Sequence, residues 1–152
     1  MTELNDSVKL KGSVRNQLFD ENGKCIYDHT DHNLIVTVGL TYLATWLAAS
    51  PQSGTFMSYM GLGTGTSTPA LGDTGLQTPL PTYVQGVLSS PSAAVWQNVT
   101  TFPAGTNTNS AITEAGLFST AGPGTMFAHK VFAPINKGAG NALIVTWSVT
   151  FN

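Results

Sequence analysis

Residues 142–151, with the sequence ALIVTWSVTF, decide the fold class of this chain. Large apolar residues alternate with hydroxyl residues along the stretch, with Ile144 as the exception, and this period of two is typical of a strand that buries one face. The apolar set consists of Leu143, Val145, Trp147, Val149 and Phe151. A stretch this rich in β-branched and aromatic residues must pair with a neighbour and place its apolar side chains in a core. We therefore predict a strand that forms the spine of one sheet.

The chain is poor in charge. Charged residues account for 9% of its 152 residues, against about 25% in an ordinary domain, so its polar surface must consist mainly of Thr, Ser, Asn, Gln and Gly. The net charge of −2 supplies no field that would collect nucleic acid or acidic lipid. We expect no nucleic-acid partner and no membrane partner. The length suits a single domain, which we place at residues 8–152, after an N-terminal arm at 1–7.

The sequence carries one cysteine, Cys25, so an internal disulfide is impossible and a reducing compartment is indicated. The first residues lack the basic segment and apolar run of a secretory signal. The longest apolar stretch, 34–49, is interrupted by Thr and Gly, and it falls short of the roughly 20 residues that a membrane span needs. We expect a soluble protein made in a cytoplasm.

Two strands joined by a hairpin turn are predicted near the N-terminus. Apolar and polar residues alternate from 8 to 19, and Asn22-Gly23 favours the positive backbone angles of a tight turn, after which residues 24–28 return antiparallel. The polar face of the first strand carries three of the six basic residues, Lys9, Lys11 and Arg15. Such a face is either an ordinary solvated surface or a contact patch.

A change of period marks one helix. From Val38 onwards the apolar residues recur at helical spacing, until Ser50-Pro51 closes the segment. Five further strands are predicted from patterns bounded by Gly-rich and Pro-rich turns, at 56–62, 83–88, 95–102, 112–119 and 125–132. With the N-terminal pair and the last strand, the total is about eight. Eight short antiparallel strands with one short helix predict an all-β fold, either a two-sheet sandwich or a small barrel.

The segment 63–69 must be irregular because it is dense in Gly, Pro and hydroxyl residues. Gly61, Gly63 and Gly65 superficially resemble a phosphate-binding loop, but the third glycine of the dinucleotide-binding spacing is missing and no Gly-Lys-Ser/Thr follows. The chain runs into Pro69 instead of opening a helix whose amides could hold a phosphate. We interpret the segment as a long surface loop and predict no cofactor.

A polar cluster at 28–32, DHTDH, is the one candidate metal site. In an extended chain His29 and Asp31 share a face, and a His with a carboxylate suits a transition metal. One strand supplies only two such ligands, so a third, such as His129, would have to come from elsewhere. The alternative is a turn with a hydrogen-bonding Asp and a His at the entry to the helix. We favour that alternative and predict no metal.

Glu114 is the only acid that falls within a strand predicted to be half buried. It is either an active carboxylate with a raised pKa or a structural acid paired with Lys130 or with a backbone amide of a neighbouring strand. A single acid without a second acid or a base nearby rarely supports acid–base catalysis. The sequence also lacks the Gly-x-Ser-x-Gly motif of serine hydrolases and any motif of a catalytic cysteine. We therefore expect no enzyme, no catalytic residue and no small-molecule substrate. A core or a subunit contact explains the strand aromatics better than a sugar platform does: Tyr83, Trp96, Phe102 and Phe127.

Several phrases of the sequence resemble one group of proteins, the small virion proteins of tailed bacteriophages. They are NLIV at 33–36 with Gly39, GLGTGT at 61–66, ITEAGLF at 112–118, MFAHK at 126–130 with FAPINK at 132–137, and LIVTWSVTF at 143–151. The phrases at 112–118 and 143–151 are the most specific. Together the phrases span most of the chain, and the first thirty residues carry no part of the resemblance.

The resemblance implies a β-sandwich, often of jelly-roll type, that decorates the outside of a capsid as a homo-oligomer. We therefore expect a non-enzymatic capsid decoration, or cement, protein that is made in the bacterial cytoplasm and clamps neighbouring major capsid subunits on the virion surface. A homotrimer is favoured over a homodimer because shells present threefold positions that a closed oligomer can match. Related chains occur in tails and fibres, so the alternatives are a tail-fibre, baseplate or adaptor component, or a sugar-binding receptor module.

The contacts expected in such an assembly lie at the surface. They are the arm 1–7, the basic face of Lys9, Lys11 and Arg15, and the loops 50–55 and 63–74, the latter including Thr64, Thr66 and Thr68. A surface rich in Thr and Gly can be buried in an interface without the desolvation penalty that Lys or Glu side chains would incur. Many such contacts, each weak, add up when one oligomer touches several capsid subunits.

Overall fold

The computed structural model describes residues 9–48, 56–122 and 124–152 and contains ten strands and one helix in those ranges. In chain order they are β1 (Leu10–Phe19), β2 (Cys25–His32), β3 (Leu34–Ile35), α1 (Thr37–Ala48), β4 (Tyr59–Gly63), β5 (Val84–Gln85), β6 (Val87–Ser89), β7 (Val95–Phe102), β8 (Asn109–Phe118), β9 (Met126–Lys137) and β10 (Ala142–Phe151).

The strands form two antiparallel five-stranded sheets. Sheet A has the order β2-β1-β10-β7-β6, and sheet B has the order β3-β9-β8-β4-β5. The predicted all-β two-sheet sandwich is therefore confirmed. The number of strands is ten instead of about eight, because β3 was missed and the strand predicted at 83–88 is two strands.

The strand β10 has the predicted bounds and lies at the centre of sheet A, between β1 and β7. Four of its apolar side chains enter the core, and Trp147 is the largest of them. The prediction was wrong for Phe151, which is 36% exposed. That residue lies at the end of the strand, where the sandwich no longer covers its face.

The predicted hairpin between β1 and β2 is confirmed. Gly23 has a φ of 77°, which a glycine adopts without strain. The carboxylate of Asp20 accepts hydrogen bonds from the backbone amides of Asn22 and Lys24, both at 2.9 Å. The second strand, however, continues beyond residue 28 to His32, so DHTDH is extended chain and not the turn that we favoured.

Residues 83–88 cross from one sheet to the other. The strand β5 pairs with β4 in sheet B, whereas β6 pairs with β7 in sheet A. Gly86 lies at the crossing, and a Cβ there would lie 1.9 Å from Asn98 Oδ1. Its amide donates to the carbonyl of Ser58 at 2.8 Å. A side chain at this position would block the passage between the sheets.

The strand β9 is longer than the predicted 125–132 and continues through Pro134 to Lys137. In the part of the chain that the structure describes, β3 pairs with β9 only at Ala128 and His129. The edge of β9 beyond those residues is left free, and an edge position is where a strand tolerates proline.

The core fills the space between the two sheets. Its largest fully buried apolar side chains include Trp147, Phe102, Phe127, Leu62 and Leu117. Each such side chain stabilises the fold by about 1.5–3 kcal/mol relative to an exposed one. The predicted core role of Phe102 and Phe127 is confirmed, whereas Tyr83 and Trp96 are half buried.

The helix α1 packs on the β9 side of the sandwich and carries no charged residue. Leu40 and Leu47 are exposed on its outer side. Its predicted end at Ser50-Pro51 and the loop 50–55 lie outside the described residues, as does the arm 1–7. Within the described ranges, no helix is long and apolar enough to span a bilayer.

Candidate functional site

Three ionisable side chains form a row beside sheet B. His129 on β9 lies between Glu114 on β8 and Asp73, which belongs to the connection between β4 and β5. The distance from His129 Nε2 to Glu114 Oε2 is 3.0 Å, and that from His129 Nδ1 to Asp73 Oδ2 is 2.8 Å. The side chains of Glu114 and His129 are fully buried. No other buried cluster in the described ranges brings three ionisable groups into contact.

The carboxylate of Glu114 is fully hydrogen-bonded. Its Oε1 accepts from the amides of Gly65 at 3.0 Å and Thr78 at 2.8 Å. Its Oε2 accepts from the amide of Gln77 at 3.0 Å and from His129. Each oxygen therefore has two donors, as a buried carboxylate requires to offset the loss of water.

The two hydrogen bonds of His129 require a proton on each ring nitrogen when both carboxylates are ionised. Both of its partners are carboxylates, which accept hydrogen bonds but do not donate them when ionised. Burial alone would lower the pKa of His129, but the hydrogen bonds to Glu114 and Asp73 outweigh burial, and the pKa is raised. The row is thus a buried imidazolium between two carboxylates.

The two acids respond in the opposite direction. Burial would raise the pKa of Glu114, but the hydrogen bonds from His129 and from the amides of Thr78, Gln77 and Gly65 outweigh it and lower the pKa. For Asp73, burial is likewise outweighed, here by the amide of Ala70 and by His129, and the pKa is lowered. The raised pKa of Glu114 that one of the two alternatives predicted was therefore wrong.

The row holds a loop, residues 64–78, which we call the clamped loop. Thr113 donates to the carbonyl of Gly65 at 2.7 Å. Gln77 and Ser67 exchange two hydrogen bonds, both at 2.8 Å. A Cβ at Gly65 would lie 2.6 Å from Glu114 Oε1, so glycine is needed for the close approach of the loop to the acid. The Gly-Thr segment is irregular, as predicted, but it is tied to β8 and β9.

The geometry of the row does not suit acid–base catalysis. A general base needs one ring nitrogen free to take a proton from a nucleophile or a water, and both nitrogens of His129 are engaged. The carboxylate of Glu114 has no oxygen left for a substrate. The arrangement instead fixes a loop to two strands, which is a structural task.

The predicted partners of Glu114 were partly right. Backbone amides do hold the acid, but they belong to the clamped loop and not to a neighbouring strand. The predicted pairing with Lys130 was wrong, because Lys130 Nζ lies 3.6 Å from Asp31 instead. The local pattern identified Glu114 alone, because its partners Asp73 and His129 come from two distant segments.

The DHTDH cluster lies on β2 and is separate from the row. His29 Nε2 and Asp31 Oδ2 are 3.4 Å apart on one face, as predicted. The suggested third ligand, His129, was wrong because that residue faces Glu114 and Asp73. In the described part of the chain no three His, Cys, Asp or Glu side chains are grouped so that they could hold a metal.

The predicted interface residues fall on two regions. Lys9, Lys11 and Arg15 are exposed along β1 in sheet A, and Arg15 forms two hydrogen bonds with Asp28, from Nε to Oδ1 at 2.8 Å and from Nη2 to Oδ2 at 2.5 Å. Thr66 and Thr68 are exposed in the clamped loop, and Thr64 is half buried. The contact role of all six residues remains a prediction.

An apolar groove that the sequence analysis did not anticipate runs between α1 and the end of sheet A. It is lined chiefly by Leu43, Trp46, Leu47, Phe56, Trp96 and Phe151. The ring of Phe56 lies in its floor, with centroids 5.3 Å from Trp46 and 5.8 Å from Trp96. The available signal was a helix with apolar residues and no charge, which a surface helix rarely shows.

With the fold and these sites in hand, comparison with protein-family models, with curated proteins and with solved structures finds no significant match to this chain.

Proposed function

We propose that this protein is a non-enzymatic decoration, or cement, protein of a tailed-phage capsid. It binds the outer shell as a homo-oligomer and clamps neighbouring major capsid subunits. The sequence phrases at 112–118 and 143–151 supply the class of protein, and a two-sheet sandwich suits it. The engaged nitrogens of His129 and oxygens of Glu114 in the buried row are consistent with a structural task.

The observation that carries the proposal is the uncharged outer face of α1 together with the apolar groove beside it. Leu47 is 62% exposed, and it lies about two helical turns from the exposed Leu40, on the same side of the helix. A helix face without charge beside an apolar groove is typical of a surface that contacts another protein. Such a face can be buried against another protein at little desolvation cost.

The partner surface that fits this face is itself uncharged and apolar. The basic face of β1 and the clamped loop remain proposed secondary contacts. Because the loop is already held by Glu114, it would lose little freedom when it meets a shell. Several modest contacts of one oligomer then combine into stable attachment.

The test is cosedimentation of the purified protein with matching shells that lack tails. We expect saturable binding at a fixed ratio to the major capsid protein. Leu47→Glu should weaken binding by at least roughly tenfold, because a buried charge at the contact would have no partner. Val87→Glu is the matched control, since Val87 is 73% exposed on the edge strand β6 and is not among the lining residues of the groove.

Other outcomes would overturn the proposal. No binding to shells, with retention on isolated tails, would make the protein a tail-fibre, baseplate or adaptor component. Equal binding by the Leu47 and Val87 variants would show that the outer face of α1 does not contact the shell. Circular dichroism and thermal unfolding of both variants show whether either change disturbs the fold.

A further inference from the structure

The strand β2 forms an open edge of sheet A. It pairs with β1, and no described strand pairs with its other side. The pairing with β1 is regular from Ser13 opposite His32 to Leu18 opposite Tyr27, and the only irregularity follows Leu18. The pairing with β1 is therefore uninterrupted over residues 27–32. The backbone amides and carbonyls that point away from β1 form no hydrogen bond with it.

Proteins block pairing between molecules with charged side chains, especially Lys, or with Pro on the edge, with a bulge, or with a very short strand. The bulge of β2 lies at Ile26, before the regular stretch, and the charges of that stretch, Asp28 and Asp31, each have a histidine nearby in the sequence. Residues 27–32 contain no Lys, Pro or Gly. By contrast, the free edge of β9 carries Pro134, and β6 has only three residues. Ile26, next to the regular stretch, is 52% exposed.

The sequence of the edge is complementary to itself. In an antiparallel pair, residues directly opposite each other have side chains on the same face. When two copies of DHTDH pair about Thr30, Asp28 lies opposite His32 of the second copy, and His29 lies opposite its Asp31. Within its own copy Asp28 already accepts hydrogen bonds from Arg15, and Asp31 lies 3.4 Å from His29. The symmetry repeats both contacts between copies, so each acid meets a further imidazole that can donate a hydrogen bond to it.

The neighbouring registers are worse. Pairing about Asp28 or about Asp31 places two carboxylates directly opposite each other, which is unfavourable. Pairing about His29 places two histidines opposite each other and leaves Asp28 opposite a threonine. Thr30 is therefore the one centre in this stretch that matches each charge.

We infer that two copies of this chain pair through β2, antiparallel and centred on Thr30, so that their two A sheets form one continuous ten-stranded sheet. The backbone groups of the edge supply the hydrogen bonds, as in β-strand addition. The Asp–His contacts fix the register. The contact is twofold and isologous, so it favours a dimer over the trimer expected from the sequence. It does not depend on the capsid proposal.

Cysteine cross-linking tests the register directly. In a Cys25→Ser background, Thr30→Cys places two thiols opposite each other at the twofold axis, with a Cα separation of about 4.5–5.5 Å, which a disulfide can bridge. Ile26→Cys is the matched control on the same edge. In the proposed register its two copies are eight positions apart, roughly 26 Å, so mild oxidation should cross-link the first variant and not the second.

A charge-swap series supplies a second measurement without cysteine. His29→Asp places acids opposite Asp31 of the partner copy and should weaken dimerisation by roughly tenfold, as measured by sedimentation velocity. The double variant His29→Asp with Asp31→His restores both contacts in exchanged positions and should recover the dimer. His29 is exposed and Asp31 is partly exposed, and thermal unfolding of both variants checks that the fold is kept.

Three results would overturn the inference. One is a wild-type protein that stays monomeric at the highest concentration reached. Another is a disulfide that forms as readily at residue 26 as at residue 30. The third is an oligomer whose stability is unaffected by His29→Asp, which would place the contact elsewhere, for example on the uncharged face of α1.

Discussion

Glu114 Oε2 lies 3.0 Å from His129 Nε2, and the two residues come from adjacent strands fifteen positions apart in the chain. Both side chains are fully buried. On β9, His129 is opposite Gly116 and Val131 is opposite Glu114, so the pair is diagonal across the two strands. A charged pair inside a sandwich is stable only when its remaining donors and acceptors are satisfied, and here the clamped loop satisfies them.

Replacement of Glu114 by Gln should strongly destabilise the protein. The amide keeps the size of the acid but leaves the imidazolium without its buried counter-charge, and its NH2 group would face an amide donor. We expect a loss of about 3–5 kcal/mol in the free energy of unfolding, the usual cost of breaking a buried pair. Urea denaturation measures this loss.

Glu21→Gln, at an exposed turn, is the control and should stay within about 0.5 kcal/mol of wild type. Equal effects of the two changes would contradict the structural role.

The contribution of the row should depend on pH in a window set by its shifted groups. The pKa of His129 is raised above its ordinary 6.5, so its contribution is complete below pH 6.5 and is lost as the pH rises through the raised value. The pKa values of Glu114 and Asp73 are lowered from 4.5 and 3.8. Their contribution is complete above pH 4.5 and is lost as the pH falls through the lowered values.

The difference in unfolding free energy between wild type and His129→Gln should therefore be largest from pH 4.5 to pH 6.5. It should decline on both sides of that range. Subtraction of the variant removes the titration of groups outside the row. Chemical denaturation at intervals from about pH 3 to pH 9 gives the profile, and a difference independent of pH would show that His129 is not charged in the folded protein.

Asp73→Asn should loosen the clamped loop more than the rest of the sandwich. Asp73 accepts from the amide of Ala70 at 2.9 Å as well as from His129, and its side chain is partly open to solvent. Hydrogen exchange followed by mass spectrometry should show faster exchange in peptides that contain residues 64–78, while peptides from β7 exchange as in wild type. Uniform acceleration across the chain would mean global destabilisation instead.

Local pattern predicted the strands whose two faces differ, and it failed where distant segments meet. The strand β10 and the hairpin of β1 and β2 were predictable because alternation and Asn22-Gly23 are local signals. The division of 83–88 at Gly86 was not, since it depends on the approach of Asn98 from another strand. Glu114 was recognised as unusual, but its partners come from a loop and a strand that only the fold brings together.

Charge reversal on the basic face of β1 tests a contact that the structure leaves open. The double variant Lys9→Glu with Lys11→Glu is cleaner than a change at Arg15, because Arg15 is already bound to Asp28. If this face docks on the shell, occupancy in cosedimentation should fall, and wild-type binding should weaken as salt is raised. Unchanged occupancy would leave Lys9 and Lys11 as a solvated surface, which was the other interpretation of the sequence.

Lys137 offers a contrasting buried charge, and its removal should stabilise the protein. The residue is fully buried, burial lowers its pKa, and Nζ donates to the carbonyl of Pro103 at 2.9 Å. That carbonyl also accepts from the amide of Thr106, so it keeps a partner when the lysine is lost.

Lys137→Met keeps most of the volume and removes the desolvated ammonium. We expect it to gain about 1–2 kcal/mol in the free energy of unfolding at neutral pH, in line with apolar replacements of buried ions. The gain should shrink as the pH rises towards the ordinary lysine pKa of 10.5. Near that pH the lysine of the unfolded wild-type chain is already losing its proton, so burying the neutral side chain no longer costs the free energy of deprotonation. Lys137→Ala should instead lose stability through the cavity that it leaves. A loss in the Met variant as large as in the Ala variant would show that the ammonium itself stabilises the fold.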